Sequence, residues 1–254
     1  MLHALLTNWA IVAIIMLITW LAFLFTKNYS LIDMMWPIGF IFAGIEQLNY
    51  TCYQEYSGVA LMLLLLWGGR LAGHIFWNRV RLREIDQRYV ALSKGWKINK
   101  AIGFLVNYQF QGLLIVLISL PTIAIAHSNK THVTNIDHLL MVFCLMAITL
   151  EMMADAQLKQ FKQTSHDKQP CKTGLWRCSR HPNLFFDWCF WLGFSLLSWN
   201  SSQDSYVIVS PILLFAVMYF VTIPLTEKQS LKSRGEAYRL YQAETTKFFP
   251  WVSH

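Results

Sequence analysis

Charge is what this sequence has least of. Only 14% of its 254 residues are Asp, Glu, Lys or Arg, whereas a soluble domain carries about 25%, so a water-facing globule is a poor fit. Residue-by-residue alternation of apolar and polar side chains is also missing, which excludes a membrane β-barrel. No CxxC pair occurs among Cys52, Cys144, Cys171, Cys178 and Cys189. That absence points away from a disulfide framework and from a zinc site, and no metal is expected. There is no GxGxxG fingerprint, internal repeat, low-complexity tract or heptad run. The first apolar stretch has no basic leader and is about twice too long for a signal-peptide core.

What is present is hydrophobicity, at 55% of the chain, gathered in blocks of roughly 20 residues that cross about 30 Å of hydrocarbon as helices. The blocks run over 4–26, 31–48, 58–77, 101–126, 137–155, 183–199 and 205–226. They predict an all-α, polytopic membrane protein: one domain over 1–254, integral and multi-pass, with seven transmembrane helices.

The net charge of +7 invites a nucleic-acid partner, but its distribution argues for topology instead. Segment 78–100 holds Arg79, Arg81, Arg83, Arg88, Lys94, Lys97 and Lys100. Segment 156–182 holds Lys159, Lys162, Lys168, Lys172, Arg177 and Arg180, and the tail 227–254 adds Lys228, Lys232, Arg234, Arg239 and Lys247. Loop 49–57 has no cation, loop 200–204 has only Asp204, and loop 127–136 has only Lys130. The positive-inside rule then places the N-terminus outside and the C-terminus in the cytoplasm. No nucleic acid is expected as a partner; the basic face suits anionic lipid.

Ionisable groups inside spans are costly and are functional candidates by default. Asp33 lies one turn into span 2. Arg70 and, one turn on, His74 lie in the inner half of span 3. Span 4 brings Asn107, Tyr108, Gln109 and Gln111; span 5 ends with Glu151, Asp155, Lys159 and Lys162; span 6 opens with Asn183 and Asp187. Lysines near helix ends often snorkel and an Asp or Asn at a helix start often caps it, and a salt bridge from Arg70 to Asp33 or Asp155 is its simplest structural role. Polar groups from five spans at one depth are better explained by a polar cavity open to the cytoplasm. In "RHPN", Pro182 suits the first turn of a helix, and the following amides beside Arg180 and His181 make an anion site. The tail reads as an amphipathic helix that docks through Leu231, Tyr238, Leu240 and Tyr241, with Glu227 and Tyr241 closing the cavity.

The segments "SLIDMMWPIGF", "LWGGRLAGHIFWNRVRLREIDQRY", "FQGLLIVLISLP", "EMMADAQLKQFK", "GLWRCSRHPN" and "EAYRLYQAETTKFFPW" resemble the bacterial membrane proteins grouped with steroid 5-alpha-reductases, over about residues 30–252. That resemblance implies a seven-helix fold in the bacterial inner membrane. It implies NADPH in a cytoplasm-facing cavity and hydride transfer to the carbon–carbon double bond of an enone such as a 3-oxo-4-ene steroid. By position it assigns cofactor holding to Asp155, Glu151, Asn183, Asp187, Arg70 and Arg81. Asp33 and Trp67 stand at the catalytic positions, but Trp67 replaces the family's Tyr, and an indole N–H donates without releasing a proton.

Together these readings predict an NADPH-dependent reductase of a lipophilic enone, steroid-like or another lipid, that enters from the bilayer. Asp33, kept protonated by burial, would donate a hydrogen bond to the substrate carbonyl. Arg70, Arg81, Glu151, Asp155, Lys162, Arg180, His181, Asn183, Asp187 and Tyr241 form the expected cofactor set. The C-terminal half also resembles isoprenylcysteine and phospholipid methyltransferases, so an S-adenosylmethionine-dependent membrane methyltransferase is the alternative. Dense basic segments suit a pyrophosphate better than a zwitterionic methyl donor.

Overall fold

The computed structural model describes residues 1–49, 55–83, 87–164 and 169–251; Cys52 and Lys168 lie outside them. The described residues contain helices and no strand. The principal helices are α1 (Leu2–Thr26), α2 (Ser30–Leu48), α3 (Glu55–Ile75, continued by a π-turn over Phe76–Val80) and α4 (Gln87–Lys94). They continue as α5 (Lys100–Ile118), α6 (Leu120–Ala126), α7 (Asn135–Thr164), α8 (Pro182–Ser202), α9 (Val209–Val217), α10 (Ile223–Arg234) and α11 (Glu236–Glu244).

Six helices are long and apolar enough to cross a membrane: Leu2–Thr26, Ser30–Leu48, Glu55–Val80, Lys100–Ile118, Asn135–Thr164 and Ser205–Arg234. This is the pattern of an integral multi-pass protein. The sixth expected block, 183–199, forms the helix α8, 21 residues long, which is not among these apolar six. Asn183, Asp187, Ser195 and Ser198 dilute its hydropathy, and it hides Cys189, Phe190, Trp191, Phe194 and Leu197 from the surface. A helix covered by protein meets little lipid and has less need to be apolar. The expected block 101–126 is two helices, because Pro121 lacks the N–H that a continuous helix needs and its ring crowds the preceding turn.

The chain divides into two compact units, Met1–His138 with Ser195–Ser210 and Leu139–Phe194 with Pro211–His254. In the first, α2 packs against α1, α3, α5 and α6. Helix α1 is apolar all round yet buries one stripe, Ala4, Asn8, Val12, Met16, Thr19 and Phe23, at helical spacing. Its other face leaves Leu6, Trp9, Ile14, Ile18 and Phe25 exposed, which only lipid covers comfortably. Close approach of α2 to α3 depends on Gly44, where an added Cβ would lie 2.1 Å from Leu64 Cδ2.

At the cation-poor end of the first unit a buried carboxylate is fully satisfied. Asp137 pairs with Lys130 Nζ at 2.6 Å and accepts from Thr134 N, Thr134 Oγ1, Asn200 Nδ2 and Tyr56 OH. Tyr56 also contacts the Leu197 carbonyl, and Lys130 lies over its ring at 5.0 Å. Lys130, read above only as a loop charge, is one half of a buried pair.

In the second unit, α7 and α8 run antiparallel. Asn183 meets Asp155, Phe190 O accepts from Cys144 Sγ, and an added Cβ on Gly193 would lie 2.6 Å from Phe143 Cδ1. The tail is not one amphipathic helix. Gly235 takes φ 55, ψ −126, a conformation that side chains resist, and separates α10 from α11. Tyr238 and Tyr241 dock as expected, whereas Leu240 is 53% exposed and points away. An aromatic cluster of Phe185, Trp188, Phe215, Tyr219, Phe248 and Phe249 holds the last residues down.

Candidate functional site

Asp33 gathers the polar groups at the basic end of the first unit. The short "NYS" turn starts α2 three residues before it, with Asn28 Nδ2 tied to Val80 O at 3.0 Å, so the end of α3 is held beside the start of α2. Asp33 Oδ2 accepts from Arg88 Nη2 at 2.7 Å and Arg79 Nη1 at 3.1 Å, while Oδ1 accepts from Tyr89 OH at 2.6 Å. Gln111 of α5 donates to the same phenol. Tyr29 stacks on Tyr89 with ring centroids 6.5 Å apart. Burial first, and then the Asp33 charge, push the Tyr89 phenol well above the usual range, so it keeps its proton at neutral pH.

This arrangement differs from the sequence expectation in two ways. Asp33 is paired with Arg79 and Arg88, which the sequence reading had not named as its partners. It also accepts three hydrogen bonds, two of them from guanidinium groups, where the expected role was that of a protonated donor. A side chain so engaged holds and orients its donors. Trp67 is buried with its ring edge-to-face against Phe40 at 5.5 Å. Arg70 is half-buried in α3, and Arg81 is exposed, its guanidinium 5.1 Å from the Trp77 ring centroid.

The second unit holds the rest of the expected set. Asn183 Nδ2 donates to Asp155 Oδ1 at 3.3 Å. One turn along from this pair, Glu151 on α7 and Asp187 on α8 are both buried. Lys162 is exposed two turns beyond Asp155, on the same face of α7. The result is a ladder with an amide–acid rung, two deeper acids and a cation at the outer end. Trp176 Nε1 donates to Ala154 O at 2.9 Å and Leu175 N to Gln157 Oε1 at 2.9 Å, which anchor the "GLW" turn to α7.

Arg180 and His181 do start α8 beside Pro182, but their polar groups are taken up by the tail. Arg180 Nε donates to Glu227 Oε1 at 2.7 Å, and Nη1 donates to the carbonyls of Gln242 and Thr245. His181 Nε2 lies 3.2 Å from the same Glu227 oxygen, and Gln242 Nε2 donates to Glu227 Oε2 at 2.8 Å. Ser179 Oγ accepts from His181 N and donates to Phe248 O. Tyr241 OH donates to Trp176 O at 2.5 Å. Burial lowers the His181 pKa against the opposing pull of Glu227, so the ring is neutral at physiological pH. Burial likewise raises the Tyr241 phenol. These three residues hold the start of α8 and the tail together.

Sequence reasoning missed Arg79, Arg88 and Tyr89 as partners of Asp33, having read the basic segment as a topological signal. The sequence did carry a hint: "QRY" sets a guanidinium and a phenol side by side within that segment. Gln242 had no signal, since a Gln in an amphipathic tail reads as solvent-facing. Among the described residues no group of His, Cys, Asp and Glu is placed to hold a metal.

The chain is 27% identical over 273 residues to an uncharacterised protein of Schizosaccharomyces pombe, a match that covers 92% of this chain and 76% of that protein. No solved structure matches it significantly. A family described as "Protein of unknown function (DUF1295)" matches residues 19–245. With the helical membrane architecture and the matched length taken together, the chain belongs to that family.

Proposed function

We propose that this protein is an NADPH-dependent reductase of the carbon–carbon double bond of a lipophilic enone. The observation that carries the reading is the Tyr89 phenol held 2.6 Å from Asp33 and backed by Arg79 and Arg88. Reduction of an enone leaves negative charge on its oxygen and needs a proton at carbon, so it calls for an O–H donor in an oriented, partly desolvated setting. The reductase resemblance requires an acid beside a phenol, and Trp67 cannot supply the phenol. Tyr89 restores that pairing from a different element. Transfer of a methyl group needs no such pair.

NADPH, when bound, supplies a hydride. The donor set of the second unit fits such a dinucleotide. Asp155 and Asn183 offer an acceptor and an amide for ribose hydroxyls or a carboxamide, and Lys162 offers a cation for phosphate. Glu151 and Asp187 line the deeper rung, where hydroxyl and amide donors are welcome and phosphate is not. Arg70 and Arg81, which the resemblance also assigns to the cofactor, belong to the first unit. Arg180, His181 and Tyr241 act indirectly, by fixing the α8 start that carries Asn183. Asp33 holds Tyr89, and its two guanidinium partners offset its charge.

The proposed orientation has the N-terminus outside, the C-terminus in the cytoplasm and seven crossings, α8 included. The substrate enters from the bilayer and the cofactor from the cytoplasm. A methyltransferase is the second reading. Its supporting observation is the acid-rich face of Glu151, Asp155 and Asp187, which suits the sulfonium and ammonium charges of S-adenosylmethionine. Thermal protection of the detergent-solubilised protein decides between them. A ligand at 100 times its dissociation constant stabilises by about 2.7 kcal/mol. Protection by NADPH and not by S-adenosylmethionine is expected; the reverse would replace the reductase with the methyltransferase.

A further inference from the structure

Among the described residues the buried phenols Tyr56, Tyr89, Tyr238 and Tyr241 find partners, and Tyr108 does not. Tyr56 reaches Asp137, Tyr89 reaches Asp33, Tyr238 is bonded to Ser230 and Tyr241 donates to Trp176 O. Tyr108 of α5 is fully buried, and its hydroxyl has no protein partner. Inside a helical bundle at hydrocarbon depth an unmatched hydroxyl is costly, and such a group calls for a reason.

The surroundings of Tyr108 supply one. Its ring is held by Phe23 and Phe104, with centroids 6.0 and 6.3 Å away. Its hydroxyl lies within electrostatic reach of Asp33 and Tyr29. The oxygens of Asp33 are already occupied by Arg79, Arg88 and Tyr89. Around Tyr108 there is therefore one free O–H, an aromatic wall, and a carboxylate already engaged by three other donors. That combination suits an apolar molecule bearing a single acceptor oxygen.

We infer that Tyr108 donates the hydrogen bond that receives the carbonyl oxygen of the lipophilic substrate, which makes it a catalytic residue. The inference rests on the reductase reading above. In the step it serves, hydride reaches the β carbon and the C=C electron pair shifts to leave an enolate. The enolate oxygen is held by the Tyr108 O–H, while the Tyr89 O–H gives the α carbon a proton that comes ultimately from water. The enone gains two electrons and two hydrogens, and the nicotinamide is oxidised.

The test compares the full-length parent with Tyr108→Phe in detergent. The probes are a 3-oxo-4-ene steroid and a long-chain 3-alken-2-one, each carrying 13C at the carbonyl. The bound carbonyl band in the infrared should sit at lower frequency in the parent than in the variant. NADPH-dependent loss of the enone should fall by about 10²–10³-fold in the variant, with the melting temperature of the apo protein unchanged or raised. An identical carbonyl band in both proteins overturns the assignment, as does a clear drop in apo melting temperature, which would reveal a structural partner. Failure of the parent to bind either probe also overturns it. If the parent binds the enone with the shifted band but is not stabilised by NADPH, the reductase reading fails and the oxygen site stands.

Discussion

Arg180 and Glu227 form a pair with Nε–Oε1 at 2.7 Å, both side chains being close to nine-tenths buried. Because Arg180 lies two residues before α8 and Glu227 lies in α10, this contact joins the start of the helix that carries Asn183 and Asp187 to the tail. The sequence suggested an anion site at "RHPN"; the anion found there is Glu227, supplied by the chain itself.

Removing one partner leaves the other charged and buried. Glu227→Ala should therefore destabilise the protein by about 3–5 kcal/mol, read as a fall in melting temperature in detergent. The double variant Arg180→Met/Glu227→Leu should recover part of that loss. A Glu227→Ala protein that melts with the parent would show that the pair does not clamp the tail.

His181 makes part of this stability pH-dependent, with a definite sign. Its folded-state pKa lies below the ordinary value of 6.5 because burial opposes the charged form. Above that value both folded and unfolded states are neutral and the full stability is present. As pH falls below 6.5 the unfolded chain binds a proton that the folded chain resists, so stability declines until the folded pKa is passed. His181→Asn should flatten the slope of melting temperature against pH on the acid side of 6.5. An unchanged slope would assign the acid sensitivity to other groups.

Tyr89→Phe deletes a hydrogen bond to a carboxylate. A loss of about 1.5–3 kcal/mol in apo stability is expected, together with loss of enone turnover. Asp33→Asn should also lose turnover, since it releases both Arg79 and Arg88. Full activity in Tyr89→Phe would remove the observation on which the reductase proposal stands.

The α7/α8 ladder depends on close approach at its deep end. Gly193→Ala would place a methyl 2.6 Å from Phe143 Cδ1 and 2.8 Å from Cys144 Sγ. Overpacking of this kind costs about 1–3 kcal/mol. Cofactor protection should weaken with it, because Glu151 and Asp155 lie on the α7 side of the same contact. A variant equal to the parent in both melting and cofactor protection would separate the ladder from the site.

Whether α8 crosses the membrane is directly measurable. Reporter fusions after Lys172 and after Ser201 should report opposite sides. The same side for both would leave the six apolar helices as the complete set of crossings.

Most of the architecture was legible because hydrophobic burial has a length scale. Blocks of roughly 20 apolar residues in a chain with little charge resolve into six helices long and apolar enough to span, and the places of Asp33, Tyr108, Glu151 and Asp155 on three of these helices follow from counting along each one. A local rule worked as well: Pro182 opens α8. What the sequence left open was who pairs with whom. Asp33 had Arg70 as a reasonable partner by depth alone, and only the return of the basic segment over the start of α2 gave it Arg79, Arg88 and Tyr89. Arg180 looked available for a ligand until α10 and α11 folded back and supplied Glu227 and two carbonyls. Burial along a helix is set by local spacing and composition, which one strand of text contains. Hydrogen-bond partners separated by tens of residues depend on how loops close and helices rotate, and small differences in packing energy decide those.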